Sequence, residues 1–208
     1  GQRGTSMSSV VVATIALSHM AYAASSELDE LDIPQWQLEE AGADYVFTKV
    51  DTAAGEQRKP EYLAINPKGR VPALVTPEGV LTENVALLLY VAQTHPGANL
   101  APSSAFGLAK MNAFNAWLSS TVHVNHAHKM RGYRWSDDAS VVENLKHKVP
   151  QNMTDCADLI ERNYLKGPWV MGEQYTVADG YLFTIENWFE SDGVDLTKFP
   201  RITAHRAA

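Results

Sequence analysis

Glu83 and Asn84, just ahead of an apolar run over residues 85–93, are well placed to hold a charged small molecule. A helix N-terminus exposes free backbone N–H groups and a partial positive charge, which attract a carboxylate. The Glu83 carboxylate beside it would hold an ammonium group, so one corner would grip both charges of an amino-acid zwitterion. The competing reading makes Thr82 a plain N-cap and Glu83 a partner of the helix dipole. Upstream, Asn66-Pro67-Lys68-Gly69 is a turn cluster, because Pro fixes φ and Gly accepts positive φ. Val71-Pro72 follows, and Pro donates nothing to a sheet ladder, so it belongs at a strand's start or edge. A cis bond here would turn the Val71 backbone toward a ligand; a Pro-initiated edge strand is the alternative.

A second concentration of chemistry lies over residues 119–135. His123 and His126 are three apart and would share a helical face, where an imidazole polarises or orients a reacting group. Plain helix packing is the alternative for both. His128 falls off that face, and no carboxylate or Cys at ligand spacing joins it, so no metal site is expected. Tyr133, Arg134 and Trp135 would line an apolar pocket or cap the helix. Trp117, Trp169 and Trp188 read as core residues. Cys156 falls on an apolar helical face and reads as a buried, inert thiol. Thr176 and Asp179 form a capping-box pair with a structural role.

The elements that must position these groups change character midway. Residues 10–17, rich in Val, read as a strand, and a helix opening at Pro34 would stop at Gly42. Residues 45–50 are a strand, 60–63 a short helical turn, and 71–75 with 80–81 a hairpin leading into the helix at 83–93. That order is β-α-β-(α)-β-β-α. Residues 95–102 are rich in Pro and Gly and read as a linker. Beyond it the pattern is helical: one long helix from residue 106 past 124, and another over 138–164. Leu145, Val149, Met153, Cys156 and Ile160 recur in the second at helical spacing, and Pro150 should kink or divide it.

A net charge of −7 over 208 residues gives no electrostatic footprint for nucleic acid or an anionic membrane. No apolar run reaches the ~18–20 residues that a membrane-spanning helix needs. A single cysteine excludes an internal disulfide and fits a reducing compartment. Arg3, the apolar run 10–17 and Ala21-Tyr22-Ala23 have the layout of a secretory signal, with one early basic residue and a short apolar core. A buried strand is the other reading of that run.

Asn-Pro-x-Gly-x-Val-Pro-Ala-Leu followed by Leu-Thr-Glu-Asn resembles the thioredoxin-like domain of cytosolic glutathione S-transferases, especially the bacterial, beta-like type. The resemblance covers roughly residues 33–205. It implies an α/β thioredoxin-like N-terminal domain over 1–94 (residues 1–19 standing open as an extension), a linker over 95–102, and an all-α C-terminal domain over 103–208. It further implies a cis Val71–Pro72 bond, with the Val71 backbone pairing the cysteinyl part of glutathione. Glu83 and Asn84 would hold the γ-glutamyl group, with Arg70 in the same binding set. Asn84 replaces the commoner Ser, yet its amide still bonds a carboxylate. His123 would face the cleft, and His126 and Tyr133 would line the substrate pocket.

The departure lies in thiol activation, which needs a donor or positive charge near the sulfur. Family spacing lands on Asp29 or Glu30, whose ionised carboxylates would repel a thiolate. Ser25 and Ser26 stand nearest as donors, with Ser18 and Tyr22 further upstream. The expected activity is attack of the glutathione thiolate on a small hydrophobic electrophile, in a cytoplasmic homodimer with no metal, nucleic-acid or membrane partner. The alternative is a weakly active or non-catalytic glutathione-binding carrier or interaction protein, which the acidic stretch 27–32 favours.

Overall fold

The computed structural model describes residues 11–17, 33–52 and 54–208, which divide into two units at Ala98/Asn99. Ser18, Tyr22, Ser25, Ser26, Asp29 and Glu30 therefore lie outside the described residues.

In the first unit the chain runs β1 (Val11–Leu17), α1 (Ile33–Glu40), β2 (Tyr45–Asp51), α2 (Pro60–Leu63), β3 (Ala73–Thr76), β4 (Gly79–Thr82) and α3 (Asn84–Thr94). The four strands form one sheet in the order β2-β1-β3-β4. β1 lies parallel to β2, as a crossover through a helix demands, and β3 runs antiparallel to both neighbours. Side chains alternate across a strand, so adjacent residues of β3 face opposite layers. Leu74 packs with Leu38 of α1 and with Leu87 and Val91 of α3. Ala73 packs with Val50 and with Tyr62 of α2. The sheet is thus covered on both faces, which is the thioredoxin-like arrangement.

The second unit is helical: α4 (Ala105–Trp117), a five-residue π-helical turn (Leu118–Val122), α5 (His123–Arg131), α6 (Ala139–Asn163), α7 (Val177–Phe189) and α8 (Pro200–Arg206). Its centre is α7, where Val177, Ala178, Tyr181, Leu182, Ile185 and Phe189 are fully buried. Burying each large apolar side chain contributes roughly 1.5–3 kcal/mol before entropy is counted. The helix expected from residue 106 past 124 is continuous but interrupted by the π-turn. Pro150 lies within α6 without dividing it, because the helix continues through Asn163.

One expectation about packing is corrected. Trp117, Trp169 and Trp188 are half-buried rather than core residues. Each packs against other rings: Trp117 stacks on Tyr164, Trp169 meets Tyr175 and His205 edge-on, and Trp188 meets His123 edge-on and stacks with His126. Among the described residues, no helix is long and apolar enough to cross a membrane.

Candidate functional site

The turn cluster builds the first side of the site. Gly69 N donates to Asn66 O at 2.9 Å, and Lys68 N donates to the Asn66 side chain at 3.2 Å. Gly69 has φ 59°, and a Cβ there would come within 3.1 Å of Gln57 O and 3.3 Å of Leu63 Cδ2, so glycine is required on two counts. The Arg70 carbonyl then accepts from Tyr62 Oη at 2.7 Å and from Asn66 Nδ2 at 2.6 Å. Burial raises the pKa of the Tyr62 phenol, which keeps it a donor. Two buried side chains thereby fix the chain just before Val71–Pro72, and that peptide bond is cis. Arg70 is exposed, Val71 half-buried and Pro72 buried.

The β3–β4 hairpin builds the second side. Its register places Thr82 opposite Ala73, so the start of α3 returns to the Val71–Pro72 corner. Glu83, not Thr82, is the N-cap of α3, and its side chain makes no capping bond. Thr82 is the last residue of β4, and its hydroxyl accepts from Lys68 Nζ at 2.8 Å. The plain-cap reading of Thr82 therefore fails. Glu83 has φ 74° and ψ 123°, a conformation that costs a non-glycine residue on the order of 1–3 kcal/mol. Its carboxylate faces outward and accepts from Lys68 Nζ at 2.6 Å. Beside it, Asn84 Oδ1 is buried and has no hydrogen-bond partner among the described residues. The outward carboxylate and the unpaired amide oxygen, both acceptors, suit a ligand's ammonium, and the N–H groups of the helix start suit its carboxylate.

In the second unit, the histidines separate in role. His123, the first residue of α5, is half-buried with its ring edge-on to Trp188 at 5.0 Å. His126 is buried and stacks on the same indole at 4.2 Å. Its Nδ1 lies 2.7 Å from Asp192 Oδ2, and because a carboxylate accepts, that nitrogen carries the proton. Lys129 Nζ donates to Asp192 Oδ1 at 3.2 Å and also to Ser191 O. The His126 ring is therefore held from its face and its edge. Tyr133 is exposed and lies in the turn after α5, while His128 packs against Trp135 at 4.5 Å. Among the described residues, no group of His, Cys, Asp and Glu is arranged to hold a metal. Cys156 is buried, burial raises its pKa, and Asn125 Nδ2 lies 3.6 Å from its sulfur.

A further polar cluster surrounds Thr176 and Asp179. Thr176 N and Oγ1 donate to Asp179 Oδ2 at 2.7 and 3.1 Å, and Val170 N donates to Asp179 Oδ1 at 2.7 Å. His205 of α8 joins them, with Nε2 3.2 Å from Asp179 and Nδ1 3.0 Å from Glu186. Burial alone would lower the pKa of this imidazole, but hydrogen bonds and charge from Asp179 and Glu186 outweigh it and raise it to about 9. Burial also raises the pKa of Glu186, against the opposing effect of His205. Sequence reading recognised the capping box but passed over His205, Glu186, Asp192 and Lys68. For Lys68 a signal existed: a hairpin following the turn has to return its far end toward Lys68.

The described geometry has known counterparts. The sequence model of the glutathione S-transferase N-terminal domain matches residues 32–93. A glutathione transferase homologue from Sulfitobacter, solved with bound glutathione, is 41% identical with a TM-score of 0.85, covering 95% of this chain and 91% of that one. The beta class glutathione S-transferase of Sphingomonas chungbukensis is 28% identical with a TM-score of 0.72, over 84% of this chain and 85% of that one. The maleylacetoacetate isomerase of Pseudomonas aeruginosa is 31% identical over 167 residues, 77% of each chain. With relatives above 30% identity matched over more than three quarters of their length, the chain belongs to the glutathione S-transferase family.

Proposed function

We propose that this protein binds glutathione at the corner formed by Arg70, Val71, Pro72, Glu83 and Asn84 and transfers its thiolate to a small hydrophobic electrophile. The observation that carries the reading is Glu83 at positive φ with its carboxylate outward at the start of α3, beside the buried, unpartnered Asn84 Oδ1. The Val71 backbone pairs the cysteinyl residue, and the Glu83 carboxylate takes the γ-glutamyl ammonium. The Asn84 amide and the first N–H groups of α3 take the γ-glutamyl carboxylate. Attack needs the sulfur as thiolate, so a donor from Ser25 or Ser26 or the His123 imidazole stabilises it, and the leaving group departs as the carbon–sulfur bond forms. His126 and Tyr133 stand on and after the helix that carries His123 and are assigned to the electrophile. The protein acts as a cytoplasmic homodimer, in keeping with its family.

Titration of the thiolate absorbance of bound glutathione, together with conjugation to chlorodinitrobenzene, tests this reading. The expected result is a thiol pKa about two units below that of free glutathione, with saturable conjugation. Glutathione bound with an unshifted thiol and no conjugate formed would overturn the transferase reading and make the protein a carrier.

A further inference from the structure

Among the described residues, Lys68 keeps one N–H and Glu83 one carboxylate oxygen without a protein partner, and the two side chains lie side by side. Lys68 has three N–H donors. One goes to Glu83 Oε1 at 2.6 Å and one to Thr82 Oγ1 at 2.8 Å, and no third acceptor is found among the described residues. Glu83 accepts at Oε1, and its Oε2 has no partner among the described residues. Both side chains are at least half exposed, at 50% and 63%, so the pair contributes little to folding. It is nevertheless held in place. The Lys68 backbone is fixed by the Asn66 turn, Thr82 anchors the ammonium, and the φ of 74° aims Glu83 away from its own helix.

A spare N–H of a cation next to a spare oxygen of an anion complements a group that carries an ammonium and a carboxylate on one carbon. The geometry points to Lys68 as a specificity residue that reads the α-carboxylate of an incoming γ-glutamyl group while Glu83 takes its ammonium. The four charges alternate in a ring, each cation touching both anions, so Lys68 stays on Glu83 and is not displaced. This assignment rests on the glutathione reading above and adds the residue that separates an amino-acid end from a simple amine. A ligand without the α-carboxylate leaves the Lys68 ammonium on Glu83 alone, beside a second ammonium that it repels.

Calorimetric binding to the wild type and to Lys68→Met tests the assignment with three peptides: glutathione, γ-aminobutyryl-cysteinylglycine, which lacks the α-carboxylate, and glutaryl-cysteinylglycine, which lacks the ammonium. Lys68→Met is expected to weaken glutathione and the glutaryl peptide about tenfold each, as loss of a charge-assisted hydrogen bond does. The γ-aminobutyryl peptide should not weaken and should bind equally or more tightly, since it has no carboxylate for Lys68 to bond and its ammonium is no longer repelled. Glutathione binding that is unchanged or tighter in Lys68→Met would overturn the role of Lys68 and leave the glutathione reading intact. Equal weakening of all three peptides would do the same. A wild type that binds no glutathione would overturn both. Lys68 is exposed, so the variant folds, and an unchanged thermal midpoint verifies it.

Discussion

Glu83 and Asp179 are both carboxylates at the start of a helix, one in each unit, and they are treated in opposite ways. Asp179 is 1% exposed and accepts from Thr176 N, Thr176 Oγ1, Val170 N and the His205 ring. Glu83 is exposed, caps nothing with its side chain, occupies strained backbone and bonds Lys68. Low dielectric makes a fully satisfied buried cluster rigid and its disruption severe. Strain combined with spare bonding capacity is the opposite condition, in which stability is given up for a ligand. The helix-start motif by itself therefore assigns no role; backbone conformation and the count of satisfied bonds do.

Removing Asp179 should separate the two regions most strongly. Asp179→Ala strips the acceptor from two backbone amides and leaves His205 half-paired, so a loss of about 3–5 kcal/mol is expected in urea unfolding. If that variant yields no folded protein, Thr176→Ala should still cost about 1–2 kcal/mol. A loss below that range would show that the box is ornamental and would erase the contrast with Glu83.

His205 supplies the next effect, through pH. Its folded pKa is raised to about 9 from 6.5, so the imidazolium contributes stability that is fully present below about 6.5 and is lost as pH rises through about 9. Across that window the loss is on the order of 3 kcal/mol, because its side chain is 3% exposed and poorly screened. Urea midpoints for the wild type should fall over this range more steeply than those of His205→Gln. Parallel curves would mean that the ring is not charged between its two carboxylates. Burial raises the Glu186 pKa as well, so its ionisation opposes folding as pH rises above the ordinary carboxylate range.

Glu83→Gly should give the smallest change in stability, and of the opposite sign. Glycine tolerates φ 74° and ψ 123° without the cost carried by a side chain, so unfolding free energy should rise by about 1 kcal/mol. Glutathione binding should fall at least tenfold in the same variant, by calorimetry. A Glu83→Gly protein that is destabilised would show that Glu83 serves the fold, as Asp179 does.

Much of the first unit was legible in the chain because its signals are local. Pro67, Gly69 and Pro72 constrain φ directly, and Val-rich runs alternate with helical ones, so the order of elements along the chain and the turn position follow. The Thr176–Asp179 box was legible for the same reason, since both partners lie within one turn. Thr82 misled because a hydroxyl before a helix is the usual cap, whereas here Lys68 takes it and Glu83 moves into the cap position. No residue type announces a glutamate at positive φ. The pairs His126–Asp192 and His205–Asp179 span 66 and 26 residues, and only packing brings such partners together. The half-buried tryptophans escaped because composition reports their area and not their ring partners.

The π-turn at Leu118–Val122 has a consequence for how this chain tolerates change in length. An i→i+5 turn stores one residue more than an α-turn needs, so it is a place where the chain has already absorbed an insertion without breaking the rod. Ser119, Ser120 and Thr121 occupy it, and none is fully buried. Losing one of them would let α4 run into α5 as ordinary α-helix, with no loop to redesign. A deletion within α4 or α5 would swing every side chain beyond it by ~100° about the axis and carry His123 and His126 away from Trp188, whereas a deletion in the π-turn leaves their facing nearly unchanged. The turn acts as an indexing notch: it leaves helix length negotiable without changing which way the two imidazoles point.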